Sequence, residues 1–308
     1  MKGEPYGYAV IVSASALSFV MPAYNAEKTI TSSILSAQRV APGEVIVVDD
    51  GSQDETARVA RSLGARVVSQ ANAGPAEARK RGVELASGEF IVLLDADDEV
   101  VAAGISRSLE MLERAPEAAA VVAQTMTTPK HGAPYRMPVW PEGITADSLV
   151  RRGHAPAPPA AIVFRGANLK RALSDNPRGV WPRLAEDYEL LLRVALTGPV
   201  LYNPDVAATY VWGAGRSSAG IAQEIRDAQS IRRHYAAMAG VPESELPKQS
   251  RRGDTASIAL RRAGEASGRW YDPRRLGWTA VAAMLHPERF VEALVRRIRK
   301  KDGSTHAG

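Results

Sequence analysis

Between residues 17 and 123 the chain alternates short, unbroken apolar runs with stretches of helical periodicity. Leu17-Ser18-Phe19-Val20-Met21, Glu44-Val45-Ile46-Val47-Val48, the weaker Arg66-Val67-Val68-Ser69 and Phe90-Ile91-Val92-Leu93-Leu94 read as strands. Consecutive apolar positions, rather than alternating ones, imply burial on both faces, as in a parallel sheet. Turn and cap signals follow the runs. Pro22-Ala23-Tyr24-Asn25 reads as a loop, with Asn25 capping a helix that carries Ile30, Ile34 and Leu35 on one face. Asp49-Asp50-Gly51 ends the second strand, and Ser52-Gln53-Asp54-Glu55 reads as a capping box that opens the next helix. Pro75 suits the first turn of a third helix and Gly88 its end. A helix near Ile105–Arg114 and a strand near Ala119–Ala123 follow. Repetition of strand, loop and helix predicts an α/β fold, a Rossmann-like and mostly parallel sheet with helices on both faces.

From Gln124 to Ala160 this pattern dissolves into a Pro-rich stretch. It returns as a strand at Ala161–Phe164, a helix near Asn168–Leu173, and a stronger helix from Glu186 carrying Leu190, Leu191, Val194 and Ala195. Val200–Asn203 and Ala207–Trp212 read as two strands, and residues from about Ala222 onward as a helical extension.

Composition changes this picture little; charge changes it more. Cysteine is absent, which excludes a disulfide framework and a thiolate metal site. The net charge is +5, yet residues 248–308 hold 14 Lys/Arg against 6 Asp/Glu and so carry +8 by themselves. There Phe290, Val291, Leu294, Val295 and Ile298 form one helix face flanked by Arg289, Arg296, Arg297, Arg299 and Lys300. Two readings are open: an interfacial helix on an anionic membrane surface, or a helix packed on the main domain with a solvated basic face. No nucleic-acid partner is expected, because no base-reading element is visible. The apolar run Tyr8–Met21 is too short and too polar to span a bilayer.

The chemistry-bearing residues fall at strand ends and at one helix start. Asp95-Ala96-Asp97 places carboxylates two apart where a strand turns, which suits either a solvated turn or a hard divalent cation. Asp49-Asp50 suits a turn or a nucleotide-base acceptor. Glu186-Asp187 opens a helix, where acids stabilise the macrodipole or serve as a general base; the dipole is expected to lower their pKa. A nucleotidyltransferase on a related sheet needs a Gly-rich basic loop after the first strand, and Pro22-Ala23-Tyr24-Asn25 stands there instead.

Taken in order, Phe19–Asn25, Val47–Thr56, Gly74–Arg79, Gly88–Asp98 and Ala185–Leu190 resemble the motif set of the family 2 glycosyltransferases, which are inverting enzymes of the GT-A fold. The resemblance runs from about Leu17 to about Tyr210. It implies a metal-dependent transfer of sugar from a nucleotide-sugar, with UDP as the expected nucleotide, to an acceptor hydroxyl. A protein on this fold that binds the donor with little turnover is the alternative. By resemblance, Pro22, Ala23 and Tyr24 line the nucleoside pocket, Asp50 accepts from the base, and Arg79 lies near base or diphosphate. Asp95 and Ala96 sit by ribose and phosphates, Asp97 holds Mn2+ or Mg2+, and Asp187 is the catalytic base. Glu186 and His154 are candidate contacts for acceptor or sugar. Lys80 stands where many relatives carry Asn, and Tyr210–Ser218 lacks the late His that many relatives carry there; Arg216 is a candidate replacement on the diphosphate. The expected organisation is an extension at 1–16, a GT-A domain at 17–221 (donor half 17–123, acceptor half 124–221) and a basic helical region at 222–308. The expected acceptor is a carbohydrate or a lipid-linked sugar, and the expected location is cytoplasmic, at most peripheral on the inner membrane face.

Overall fold

In the computed structural model the chain is described at residues 17–40, 43–129, 134–138, 140, 142–174, 179–180, 184–212 and 220–246. The expectations for 1–16, Arg216 and the basic helix near the C-terminus lie outside these residues. Strands β1 (Leu17–Ala23), β2 (Glu44–Asp49), β3 (Arg66–Ser69) and β4 (Phe90–Leu93) alternate with helices α1 (Ile30–Val40), α2 (Thr56–Ser62) and α3 (Pro75–Leu85). Then come β5 (Glu99–Val100), α4 (Ala102–Arg114), β6 (Ala120–Pro129), β7 (Tyr135–Arg136), α5 (Ala146–Arg152), β8 (Ile162–Arg165), α6 (Gly166–Leu173), α7 (Glu186–Ala195), β9 (Val200–Trp212) and α8 (Ile221–Tyr235).

The strands form one mixed sheet in the order β3-β2-β1-β4-β8-β6-β9-β5, with β7 on β6. The neighbours β3, β2, β1 and β4 are parallel, as the unbroken apolar runs imply, and β6 pairs β9 in parallel along its whole length. β8 enters antiparallel between β4 and β6. The core lies on this sheet: Phe19, Ile46, Ile91, Leu93, Val121, Val163, Leu191 and Val194 are fully buried.

Several local expectations need correction. β1 continues through Pro22 and Ala23, which pair with Val48 and Asp49. Pairing with β4 stops at Val20, two residues earlier, so the missing proline N–H breaks no ladder bond on that side. Asn25 is not a cap. It takes φ 50° and its side-chain oxygen accepts from Gln53 N at 2.8 Å, tying the β1 loop to the β2 loop. Leu35 is exposed, and α1 buries Ile30, Ser33, Ile34 and Ala37 instead. Ser52–Glu55 is not a capping box: Glu55 precedes α2 without a side-chain cap, while Asp54 accepts from Thr56 N at 3.0 Å. Helix α3 ends at Leu85, and Gly88 is needed for another reason, since a Cβ there would lie 2.7 Å from Ser18 N. The Pro-rich stretch hides α5, opened by a true capping box between Thr145 and Ser148. The two late strands are one, with register shifts near Gln124 on its partner.

A glycine sets the distance between α4 and β9. A Cβ on Gly104 would lie 2.2 Å from the Val206 carbonyl oxygen, and Asn203 Nδ2 already donates to Gly104 O at 2.9 Å. The obstacle is backbone, so it cannot rotate away. Gly104→Ala is expected to cost about 1–3 kcal/mol despite the better helix propensity of alanine. Urea unfolding should show a lower midpoint; a midpoint at or above that of the parent protein would contradict this packing.

Candidate active site

The carboxyl ends of β1, β2 and β4 share one edge of the sheet, where ligands of such folds bind. Ala23 O accepts from Asp50 N at 2.8 Å, which draws the ends of β1 and β2 together. Pro22 and Ala23 are buried in β1 and Tyr24 is half-buried just beyond it. Asp50 is buried and already employed. Its Oδ1 accepts from Gln70 Nε2 and Ala73 N, both at 2.8 Å, and its Oδ2 accepts from Gly74 N at 2.9 Å. It therefore braces the loop leading into α3. A carboxylate has about four lone-pair directions, so one remains, on Oδ2, for a further donor.

Arg79 joins the two halves of the domain. It projects from α3, is 7% exposed, and forks between Asp95 (2.7 Å) and Glu186 (3.1 Å). Burial alone would lower its pKa, but Asp95, Glu186 and Asp187 raise it, so the guanidinium is held charged. Its Nε has no acceptor among the described residues. In the structure Arg79 is a buried clamp between the Asp95 turn and the start of α7.

The turn after β4 is strongly anionic. Ala96 is buried, Asp97 is exposed, and Asp98 is buried with its backbone N–H on Asp95 O at 3.1 Å. Burial, with Asp95 and Asp97 adding to it, pushes the Asp98 carboxyl up to about 8. Among the described residues no group of three His, Cys, Asp or Glu side chains forms a metal cage. The exposed Asp97, two residues from Asp95, would suit only a hard cation that takes one or two carboxylates from the protein and fills its remaining positions with substrate phosphate and water.

On the opposite side stand Glu186 and Asp187, in the first turn of α7. Ala185, just before them, is held at φ 67°, a left-handed conformation uncommon for a residue with a Cβ. Asp187 Oδ1 accepts from Tyr188 N at 2.8 Å. Behind these acids is a cavity of about 20 Å3 with an apolar floor of Leu93, Ile162, Phe164, Leu173 and Leu190. Loss of hydration raises the pKa of both Glu186 and Asp187, and Arg79 offsets only part of that. The lowered pKa expected from the helix dipole is thus overturned: burial outweighs it.

His154 is exposed, stands edge-on to Trp140 at 5.3 Å, and has Nδ1 2.9 Å from Ala155 O. Its contacts are with Trp140 and Ala155, not with the acid cluster. Glu224, in the first turn of α8, acts electrostatically on both His154 and Asp187. Nothing in the sequence marks Glu224, since it lies in an ordinary polar helix. The structure therefore brings Arg79, Asp95, Glu186 and Asp187 into one cluster, sets Asp97 at its rim, and leaves Asp50, Pro22, Ala23 and Tyr24 along the same sheet edge.

Residues 18–168 match the model of glycosyl transferase family 2. An uncharacterized glycosyltransferase of Escherichia coli, YibD, is 38% identical over 96 residues, which are 29% of this chain and 28% of that protein. The UDP-Glc:alpha-D-GlcNAc-diphosphoundecaprenol beta-1,3-glucosyltransferase WfgD of Escherichia coli is 38% identical over 102 residues, 31% of this chain and 40% of that protein. This chain thus spans about a third of the length of these curated relatives. The crystal structure of residues 1–349 of TarS from S. aureus in complex with UDP-GlcNAc superposes with a TM-score of 0.57 at 20% identity, covering 89% of this chain and 82% of that one. The likeness extends to the GT-A type of fold. With the ordered motifs on one sheet edge, residues 18–168 of this chain belong to glycosyl transferase family 2.

Proposed function

We propose that this protein transfers a sugar from a UDP-sugar to a hydroxyl of a carbohydrate or lipid-linked acceptor, with inversion at the anomeric carbon and with Mn2+ or Mg2+. The observation that carries this reading is the cluster in which Arg79 joins Asp95, at the donor edge, to Glu186 and its neighbour Asp187. The acceptor oxygen attacks the anomeric carbon from the side facing α7, and the bond from that carbon to the diphosphate oxygen breaks. The electron pair leaves with the diphosphate, and the acceptor proton passes to the Asp187 carboxylate. A base with a raised pKa is better matched to this task near neutral pH than an ordinary aspartate. One displacement requires one base and no protein nucleophile. Asp97 would hold the cation, with Asp95 close by, and the cation would supply charge neutralisation to the diphosphate. Asp50, Tyr24, Pro22 and Ala23 would border the nucleoside.

The printed specificities of relatives support a sugar nucleotide and a lipid-linked acceptor as classes to test, UDP-GlcNAc in the TarS complex and a diphosphoundecaprenol-linked sugar for WfgD. Among the described residues no helix is long and apolar enough to cross a membrane. An acceptor of that class would be met at a membrane surface, a role that suits the basic residues 289–300.

Calorimetry with UDP and a panel of UDP-sugars, with and without Mn2+, tests the donor reading. Binding is expected to tighten with the ion, and Asp97→Ala is expected to abolish that increment while leaving weak metal-free binding. Affinity indifferent to the ion in the parent protein, or an unchanged increment in Asp97→Ala, would contradict the assignment of Asp97.

A further inference from the structure

Helix α8 begins beyond the segment matched by the family model, and a domain boundary after residue 221 would cut it off at its first turn. The packing runs against that boundary. Asp227, Ile231 and Tyr235 recur every four residues and so share one face. Ile231 and Tyr235 are fully buried. Tyr235 ends in a buried polar network with two residues of α7. Its hydroxyl donates to Glu189 Oε1 at 2.6 Å and accepts from Arg193 Nη1 at 2.8 Å. Glu189 Oε1 also accepts from Val180 N at 2.6 Å. Arg193 reaches the C-terminal end of α6 through Nε to Ala172 O at 2.5 Å and Nη2 to Ser174 O. About two helical turns before Tyr235, Asp227 Oδ2 accepts from Leu184 N at 3.2 Å, two residues before Glu186. Leu184 also packs beside Gly220, where a Cβ would lie 2.4 Å from its Cδ1. Arg232, on the adjacent face, donates from Nε to Val150 O at 2.6 Å and from Nη2 to Arg151 O, at the end of α5 just before His154.

Leu184 before the acids, α7 behind them and the end of α5 are thus all fastened to one helix. The polar network is buried and each named group has a partner, the condition under which such networks rigidify rather than weaken a fold. Burial and the adjoining Glu189 raise the Tyr235 pKa, so the hydroxyl remains a donor across the working pH range.

We propose that α8 is a working part of the acceptor half, with Tyr235 and Asp227 as positioning residues that hold α7 and Leu184 in place and hence the carboxylates of Glu186 and Asp187. Neither residue touches substrate in this assignment. The donor edge, built on β1, β2 and β4, does not depend on them. This inference rests on the proposed transfer activity only for its kinetic readout.

The test compares Tyr235→Phe and Asp227→Ala with the parent protein and with Ser230→Ala, an exposed substitution elsewhere on α8. Hydrogen exchange of the amides at 184–188 is expected to quicken in both variants and to stay unchanged in β1, β2 and β4 and in Ser230→Ala. With a UDP-sugar and acceptor, kcat is expected to fall about tenfold or more in both variants, because misplacement of a catalytic group by an ångström costs rate steeply, while KM for the donor stays within about twofold. Exchange at 184–188 equal to that of the parent protein would overturn the inference. So would a uniform rise over the whole domain, or a rise in donor KM with unchanged kcat. A parent protein without turnover on any sugar nucleotide would count against the proposed function and leave exchange as the deciding measurement for α8.

Discussion

Asp187→Asn is expected to lose transfer activity by about 10²- to 10⁴-fold in kcat, the usual contribution of a general base, and to be at least as stable as the parent protein at neutral pH. Both effects have the same origin. Asp187 sits against an apolar cavity floor, and loss of hydration raises its pKa above 3.8 despite Arg79 and the Tyr188 N–H. A folded pKa above the unfolded one means that the folded state binds the proton more tightly. The stability contributed by the protonated carboxyl is present at low pH and lost as pH rises through the raised value. Asparagine never ionises and escapes that loss. The same shift sets the acid limb of the pH–rate profile, since the base must be ionised to accept a proton. In the parent protein kcat is expected to climb with pH through a limb lying above the ordinary aspartate range. Thermal unfolding at pH 7 and a pH–rate profile check the pair of outcomes. Full activity in Asp187→Asn would remove Asp187 from the role of base.

Arg79→Met is expected to be the most damaging single change at the site. The guanidinium is buried and faces Asp95 and Glu186 directly, with Asp187 in its field. Removing one partner of a fully buried pair typically costs about 3–5 kcal/mol; water reaches Asp95, which is 33% exposed, so the cost here is expected at or below the lower end of that range. Those carboxylates can escape by taking up protons. Arg79 lowers the pKa of both Glu186 and Asp187, so its loss moves both further up and shifts the acid limb to higher pH. The destabilisation is accordingly expected to be larger at pH 8 than at pH 5. Arg79→Lys keeps the charge but cannot fork between carboxylates on separate elements, and is expected to fall in between. Urea unfolding at both pH values measures the difference. Equal stability of Arg79→Met and the parent protein would mean that the clamp contributes nothing.

How much of this was legible beforehand follows the range of the interactions. The parallel half of the sheet could be read because strands buried on both faces leave unbroken apolar runs, and the acids could be placed because each stands at the end of such a run. Helix α5 escaped notice among prolines, although its Thr145–Ser148 box is a local signal that could have found it. The antiparallel entry of β8 had no local signal, since Ile162–Phe164 is as apolar as a parallel strand. The pairing of Arg79 with Glu186 spans 107 residues, and the fastening of Leu184 by Asp227 spans 43. No periodicity carries such contacts. The direction of the Asp187 shift is hidden for a related reason: a helix start is visible in sequence, whereas the apolar cavity behind it is floored by residues of three other elements, β4, β8 and α6.

The central assignment is that acids from the donor edge and from α7 serve one reaction in one cleft. Its most direct test is release of UDP from a panel of UDP-sugars in the presence of a lipid-linked or carbohydrate acceptor, with Mn2+ and then with a chelator. Release is expected with the ion, to stop on chelation, and to be lost in both Asp97→Ala and Asp187→Asn although the latter still binds UDP. Turnover that persists in both variants, or a purified protein that neither binds nor turns over any sugar nucleotide, would contradict it.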